Sequence, residues 1–234
     1  VPIWNEGLVV TDEICRVTES YLPYSDIQRA LLRLVKKSFQ ANCVPPPYLF
    51  SVGGWVRLLD MLPVANRSAN PASLIARLAE NEHDRFFFLF SVYLPLHFGG
   101  SFGRYPGQSE FLRNWISSRY TNRISQIDCL DAACGSGEGS YELVRMLLDC
   151  GIEQSAIRVT GVTISPVEVF AAAHAYFPHD QQRELHYRRF VEAIDDNGAL
   201  PTISFKTCDL RVWQPSERYQ IIVCNGILGG PLMH

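Results

Sequence analysis

The sequence predicts an α/β fold: a doubly wound, mostly parallel sheet in the second half, preceded by a helical domain. Three observations point there. After residue 126, apolar strand-like segments alternate with amphipathic helical ones, as a parallel sheet covered by crossover helices requires. The run IDCLDAACGSGEGSYELV, residues 127–144, reads as a buried strand, a glycine turn and a helix. The first half carries helical periodicity and no strand signal.

Along the first half, Ser25 with Gln28 has the spacing of a capping box, and Ile27, Leu31, Leu34 and Val35 recur at helical spacing through Lys37. A polar break at Asn66 to Pro71 precedes a second helix with Leu74, Ile75 and Leu78 on one side. The longest apolar stretch, Phe86 to Leu96, is too short to span a membrane and contains Pro95, so it reads as a core segment or a lid over a ligand. Gly99, Gly100 and Gly103 make a flexible connection to a helix from Glu110 to Arg119. Residues 1–125 are therefore expected to form a helical cap, and residues 126–234 the ligand-binding domain.

In the second half strands are predicted near 127–133, 157–163, 202–207 and 219–224, with helices near 138–150, 166–176 and 181–195. The fourth strand, IIVC, is apolar on both faces, as a central strand should be. The chain nevertheless stops at His234. Because an uncovered sheet edge pairs promiscuously, the C-terminal strands are expected to be missing, lost or left out, or replaced by another chain. The opening VPIWNEGLVV has no basic and apolar leader pattern, and the missing initiator Met suggests leading residues left out.

Composition bounds the function. Of 234 residues 47% are apolar and 19% charged, with a net charge of -3. A chain of this length buries a core without disulfide staples, and its charge gives no reason to expect nucleic acid or an anionic membrane as a partner. The seven cysteines are scattered with no C-x-x-C pair, and the six histidines show no H-x-H or H-E-x-x-H spacing. Reduced thiols, no metal and a cytoplasmic setting are expected. Arg183, Arg188 and Arg189, interleaved with Glu184 and Glu192, read as a solvated helix face.

The chemistry concentrates at the glycine turn. Gly135, Gly137 and Gly139 let the backbone bend and approach a ligand, while Leu143, Val144, Leu147 and Leu148 stripe the following helix. Glycines alone also fit a tight βα connection in another α/β domain. A phosphate-cradling loop carries Gly-Lys-Ser/Thr, but here the turn carries Glu138 and no Lys. A carboxylate repels phosphate and suits a cationic ligand, such as S-adenosylmethionine with its α-ammonium and sulfonium.

With these residues the chain resembles the class I S-adenosylmethionine-dependent methyltransferases, whose domain is Rossmann-like, through four segments in order. LDAACGSG is similar to the family's acidic residue followed by G-x-G-x-G, with Asp131 in the acidic place and Ala133 where the first Gly often stands. VTGVTISPVEV (159–169) resembles the second strand and its turn, FKTCDL the end of the third, and YQIIVCNGILGG (219–230) the fourth strand and the loop facing the methyl group. Within that superfamily the chain is most similar to the chemotaxis-receptor glutamate methyltransferases, the CheR-like type. DAACGSGEGSYE keeps the Ala-Ala-Cys, Gly-Glu and Tyr of their S-A-A-C-S-T-G-E-E-P-Y-S, and SFGRYPGQSEFLRNWI (101–116) is similar to their phenylalanine-arginine element. Two departures stand out. Asn225 and Gly226 occupy the places of their Arg-Asn, and Thr163 stands where a ribose-binding Asp or Glu is usual.

The resemblance implies S-adenosylmethionine as cofactor and a binding set drawn from matched positions. Arg104 would pair with the methionine carboxylate, the alternative being a surface arginine. Glu138 would receive the ammonium, the alternative being compensation of the helix dipole. Asp131 would order the turn or the amino-acid end; Ala133, Cys134, Gly135 and Gly137 would leave room for the adenosyl group; Thr163 and Ile164 would meet the ribose. Asp209, beside Leu210, would accept from the adenine amino group, or else serve as a turn aspartate. Asn225 and Gly226, continuing to Leu228, would line the methyl end.

Methyl transfer from a sulfonium needs positioning and no nucleophilic residue, so no catalytic side chain is assigned. The leading expectation is an enzyme methylating a carboxylate or hydroxyl of an unknown protein or small-molecule acceptor. A non-catalytic S-adenosylmethionine-binding sensor or interaction domain is the alternative. A distant third is an NAD-dependent oxidoreductase, disfavoured because its fingerprint wants an acid about twenty residues after the glycines.

Overall fold

The computed structural model describes residues 22–41, 49, 54–60, 71–94, 101–120, 125–194 and 202–227. The chain divides into two compact units, Val1–Leu96 and His97–His234.

The described part of the first unit is helical: α1 (Tyr24–Phe39), α2 (Trp55–Asp60), α3 (Pro71–Glu80) and α4 (Glu82–Tyr93). The predicted stripe of α1, Ile27, Leu31, Leu34 and Val35, is its buried face. The predicted capping box does not form. Pro23 is the N-cap and contributes no side-chain bond, so Ser25 falls inside the first turn, while Gln28 Nε2 donates to the Leu49 carbonyl (2.8 Å). Pro71 opens α3, where a missing N–H does no harm. The carbonyls at the other end of α3 would be left unbonded, but Arg85 Nη1 donates to Leu78 (3.0 Å) and Lys37 Nζ to Ala79 (2.7 Å). Asn81 caps α4 by accepting from the Asp84 N–H (3.0 Å). Of the apolar stretch, Phe88, Leu89, Phe90, Val92, Tyr93 and Leu94 are core; residues 95–96 lie outside the described residues.

The second unit holds α5 (Pro106–Arg119), β1 (Ile127–Ala132), α6 (Glu138–Asp149), β2 (Ile157–Thr163), α7 (Pro166–His174), α8 (Gln181–Glu192), β3 (Thr202–Thr207) and β4 (Ile221–Val223). The strands form one sheet in the order β3-β2-β1-β4, and all three pairings are parallel. This is a Rossmann-like α/β sheet. In β1 every residue but Asp128 is buried, as a strand covered on both faces requires. The strand order reverses between β1 and β4, and in open α/β sheets ligands bind outside the carboxyl ends of the strands at such a point. β2 and β3 have their predicted bounds; β1 stops one residue early, at Ala132, and β4 is confined to 221–223.

Helix α5 starts at Pro106 and lies in the second unit. It is tied to the end of α6: Ser117 Oγ donates to Cys150 Sγ (3.7 Å), and Arg113 lies 4.0 Å from Asp149. Among the described residues no helix is long and apolar enough to cross a membrane.

Candidate functional site

β1 runs into a turn in which Ala133, Gly135 and Gly137 are all left-handed, with φ of 82°, 54° and 91°. For alanine that conformation costs about 1 kcal/mol. It is held by two bonds, from the N–H groups of Ala133 and Cys134 to the Val162 carbonyl of β2 (3.0 and 2.9 Å). The two glycines serve different ends. A Cβ on Gly137 would lie 2.7 Å from Ala172 Cβ and 2.8 Å from Tyr187 Oη, so neighbouring side chains already fill that space. A Cβ on Gly135 would meet nothing within 4 Å, so this glycine faces open room.

Three carboxylates gather around the turn. Asp131 is 4% exposed and accepts from Ser140 Oγ (2.7 Å) in the first turn of α6. Burial pushes its acid up to about 6, against the pull of Ser140, and nearby Glu138 adds to the rise. Glu138 is equally buried at the N-terminus of α6. Its Oε1 accepts from Arg183 Nη2 (2.6 Å) and Nε (3.1 Å), and its Oε2 from Ser136 Oγ (2.8 Å). Glu168, in the first turn of α7, accepts from Thr163 Oγ. Its acid is raised by burial first; Thr163 lowers it, Glu138 raises it and Arg183 lowers it. Burial, reinforced by all three acids, likewise raises the thiol of Cys134.

Two of these contacts escaped the sequence reading. S-P-V-E at 165–168 has capping-box spacing, and Ser165 Oγ accepts from the Glu168 N–H (3.4 Å). The Glu168 carboxylate reaches Thr163 instead, which puts an acid beside the end of β2. Arg183 corrects an expectation, because it is not part of a solvated face. Its side chain is 15% exposed, bonded to Glu138 and lying over the Phe177 ring (4.3 Å). The rest of that face is as expected: Arg188, Arg189 and Glu192 are exposed, and Arg188 pairs with Glu184 (3.1 Å). One helical turn beyond Arg183, buried Tyr187 donates to the Ser136 carbonyl (2.8 Å), so α8 grips the turn at two points.

The ends of β3 and β4 are different in kind. Asp209 takes Arg211 Nε (3.0 Å) and Nη2 (2.7 Å) together with the Arg211 N–H (3.0 Å), which holds its acid down to about 2. In this arrangement it organises a turn, one of its two expected roles. Leu210 packs on Leu130, Ala132 and Val162. Asn225 and Gln108 exchange amide hydrogen bonds (3.0 and 2.9 Å), joining the end of β4 to the start of α5. Gly226 is left-handed and exposed, Ile164 is 45% exposed, and Leu228 lies outside the described residues. Arg104 is exposed, its guanidinium 5.2 Å over the Tyr105 ring. The structure thus brings together Asp131, Ala133, Cys134, Gly135, Gly137, Glu138 and Thr163. Asp209, Leu210, Asn225 and Gly226 stand at neighbouring strand ends. Ser136, Ser140, Glu168, Arg183 and Tyr187 join the cluster unpredicted, and Gln108 joins the rim.

A family model for the CheR methyltransferase, SAM binding domain, matches residues 100–229, more than half of the chain. The chain belongs to the CheR methyltransferase family. It is 27% identical over 140 residues to the probable biofilm formation methyltransferase WspC of Pseudomonas putida, a match covering 54% of this chain and 33% of that protein. The chain therefore spans about a third of the length of this relative. The solved structure of coclaurine N-methyltransferase bound to N-methylheliamine and SAH is 15% identical and covers 91% of this chain and 52% of its own, at a TM-score of 0.27. That likeness is too low to bear on the fold.

The cofactor of the CheR domain is S-adenosylmethionine, and the donor set here fits it. Asp131 and Glu138, both buried, and half-buried Glu168 outnumber the one guanidinium bonded among them, leaving an excess of acids that a cationic donor relieves and a pyrophosphate would worsen. Gly135 supplies the room.

Proposed function

We propose that this domain uses S-adenosylmethionine to methylate a carboxylate on a protein. The observation that carries the reading is the acid-rich, left-handed turn at the carboxyl end of β1, in a chain of the CheR family. Bound S-adenosylmethionine would supply a methyl carbon activated by its sulfonium for transfer to an acceptor oxygen. The protein's share is binding, orientation and exclusion of water. Glu138 accepts from the ammonium, Gly135 gives space to the adenosyl group, and Asp131 fixes the first turn of α6 through Ser140. Thr163 and Glu168 face the ribose hydroxyls, Asp209 and Leu210 border the adenine, and Asn225 with Gly226 borders the methyl end. A carboxylate acceptor is already deprotonated near neutral pH, so no general base is needed.

The helical first unit is proposed as an accessory domain. A cytoplasmic setting is supported by the five free cysteines among the described residues, which suit a reducing compartment. Calorimetric titration with S-adenosylmethionine, S-adenosylhomocysteine and NAD should show binding of the first two only. Incubation with methyl-labelled cofactor and candidate proteins should yield label released as methanol in alkali, the mark of a carboxyl ester. Tight binding without transfer to any acceptor would leave a cofactor-sensing domain instead.

A further inference from the structure

We infer that Arg183 receives the α-carboxylate of the cofactor, so that the ion pair of Glu138 with Arg183 is a preformed counterpart for the zwitterionic end of the donor. The inference rests on the reading of the site as one for S-adenosylmethionine. Both partners are withdrawn from water, with side-chain exposures of 15% for Arg183 and 6% for Glu138. A buried charge that loses its partner is costly, so whatever enters this corner must leave neither one unpaired. A ligand with a lone positive charge would take Glu138 and strand Arg183. An α-amino acid brings both signs, separated by a single carbon, and converts one buried pair into two.

Arg183 is also held ready. Its backbone N–H is capped by Asp180 Oδ1 (3.0 Å), its guanidinium lies over Phe177 (4.3 Å), and Nη2 donates to Ser136 Oγ (2.5 Å) in the turn itself. Its hydrogen bonds to described residues run through Nε and Nη2, which leaves Nη1 of the planar fork to offer to a carboxylate. Arg104, by contrast, is exposed beside Tyr105, where water screens any charge it meets.

The test compares S-adenosylmethionine with its decarboxylated form, which keeps the sulfonium and an ammonium and lacks only the carboxylate. Titrations are run on the wild type, Arg183→Met, Arg183→Lys and Arg104→Met, each checked by thermal melting. A charge-assisted contact is worth about ten- to a hundredfold, so the wild type should prefer S-adenosylmethionine by about that factor. Arg183→Met should erase the preference by weakening S-adenosylmethionine alone, Arg183→Lys should keep part of it, and Arg104→Met all of it. Equal weakening of both ligands in the Arg183 variants would make Arg183 a mere support for Glu138. Loss of preference in Arg104→Met, or none in the wild type, would also overturn the inference. If Arg183→Met does not fold, the Arg183→Lys and Arg104→Met results decide. Failure of the wild type to bind either ligand would instead sink the reading of the site itself.

Discussion

At the carboxyl ends of β1 and β2 the polar side chains are buried or nearly so and hold one another, Asp131 with Ser140, Glu138 with Arg183 and Ser136, Thr163 with Glu168. At the ends of β3 and β4 they are half-exposed and satisfied by one neighbour each, Asp209 by Arg211 and Asn225 by Gln108. In a desolvated corner each charge is worth much and tolerates little change; on a wet rim it is screened and replaceable. The first corner is organised for a ligand of fixed chemistry.

The comparison should break most visibly at Glu138. Glu138→Ala leaves Arg183 buried without a carboxylate, an expected loss of about 3 kcal/mol of stability and most of the cofactor affinity, read by melting and calorimetry. Asp209→Ala, on the exposed side, should leave the melting temperature unchanged and weaken the cofactor by less than about tenfold. Equal losses in the two variants would erase the distinction.

The two glycines sharpen it further. Gly137→Ala combines a left-handed φ with contacts of 2.7 and 2.8 Å and should cost about 3 kcal/mol. Gly135→Ala should cost about 1 kcal/mol of stability, because its methyl meets no protein atom within 4 Å. The same methyl projects into the open room proposed for the adenosyl group, so affinity should fall far more than stability does.

Acid provides a milder probe. The acid of Asp131 is raised from 3.8 to about 6 in the folded chain, so its neutral form is the stabilising one. Its contribution is complete below pH 3.8 and is lost as pH rises through about 6, amounting to at most about 3 kcal/mol; denaturant titrations of the wild type and Asp131→Asn measure it. Cofactor affinity should run the other way, weakening below about pH 6 as Asp131 takes up a proton, with proton release on binding detected by calorimetry in two buffers. The smallest effect is expected at the rim. Gln108→Ala should change stability by no more than about 0.5 kcal/mol and leave cofactor affinity intact; a change in affinity would move Gln108 to the cofactor side.

Much of this was legible in the residues. The bounds of β2 and β3, and the buried stripe of α1, follow from apolar runs closed by turn chemistry. The end of β1 was not, because Ala133 has an ordinary side chain in an unusual conformation, imposed by the Val162 carbonyl from another strand. Arg183 stayed hidden for a related reason: it sits among i,i+4 charges that mark a surface helix, and its partner Glu138 is 45 residues away. Glu168 is the instructive case. The S-x-x-E spacing was visible, and it announces a cap, yet only the fold shows that the acid turns back to Thr163.

Cys134 has one more consequence. A thiolate beside a sulfonium would be a competing nucleophile, able to consume the donor and alkylate the protein from within. Burial and the three neighbouring acids raise the Cys134 thiol, which disfavours the thiolate beside the proposed donor. Intact mass after prolonged incubation with S-adenosylmethionine should show no added methyl on the chain.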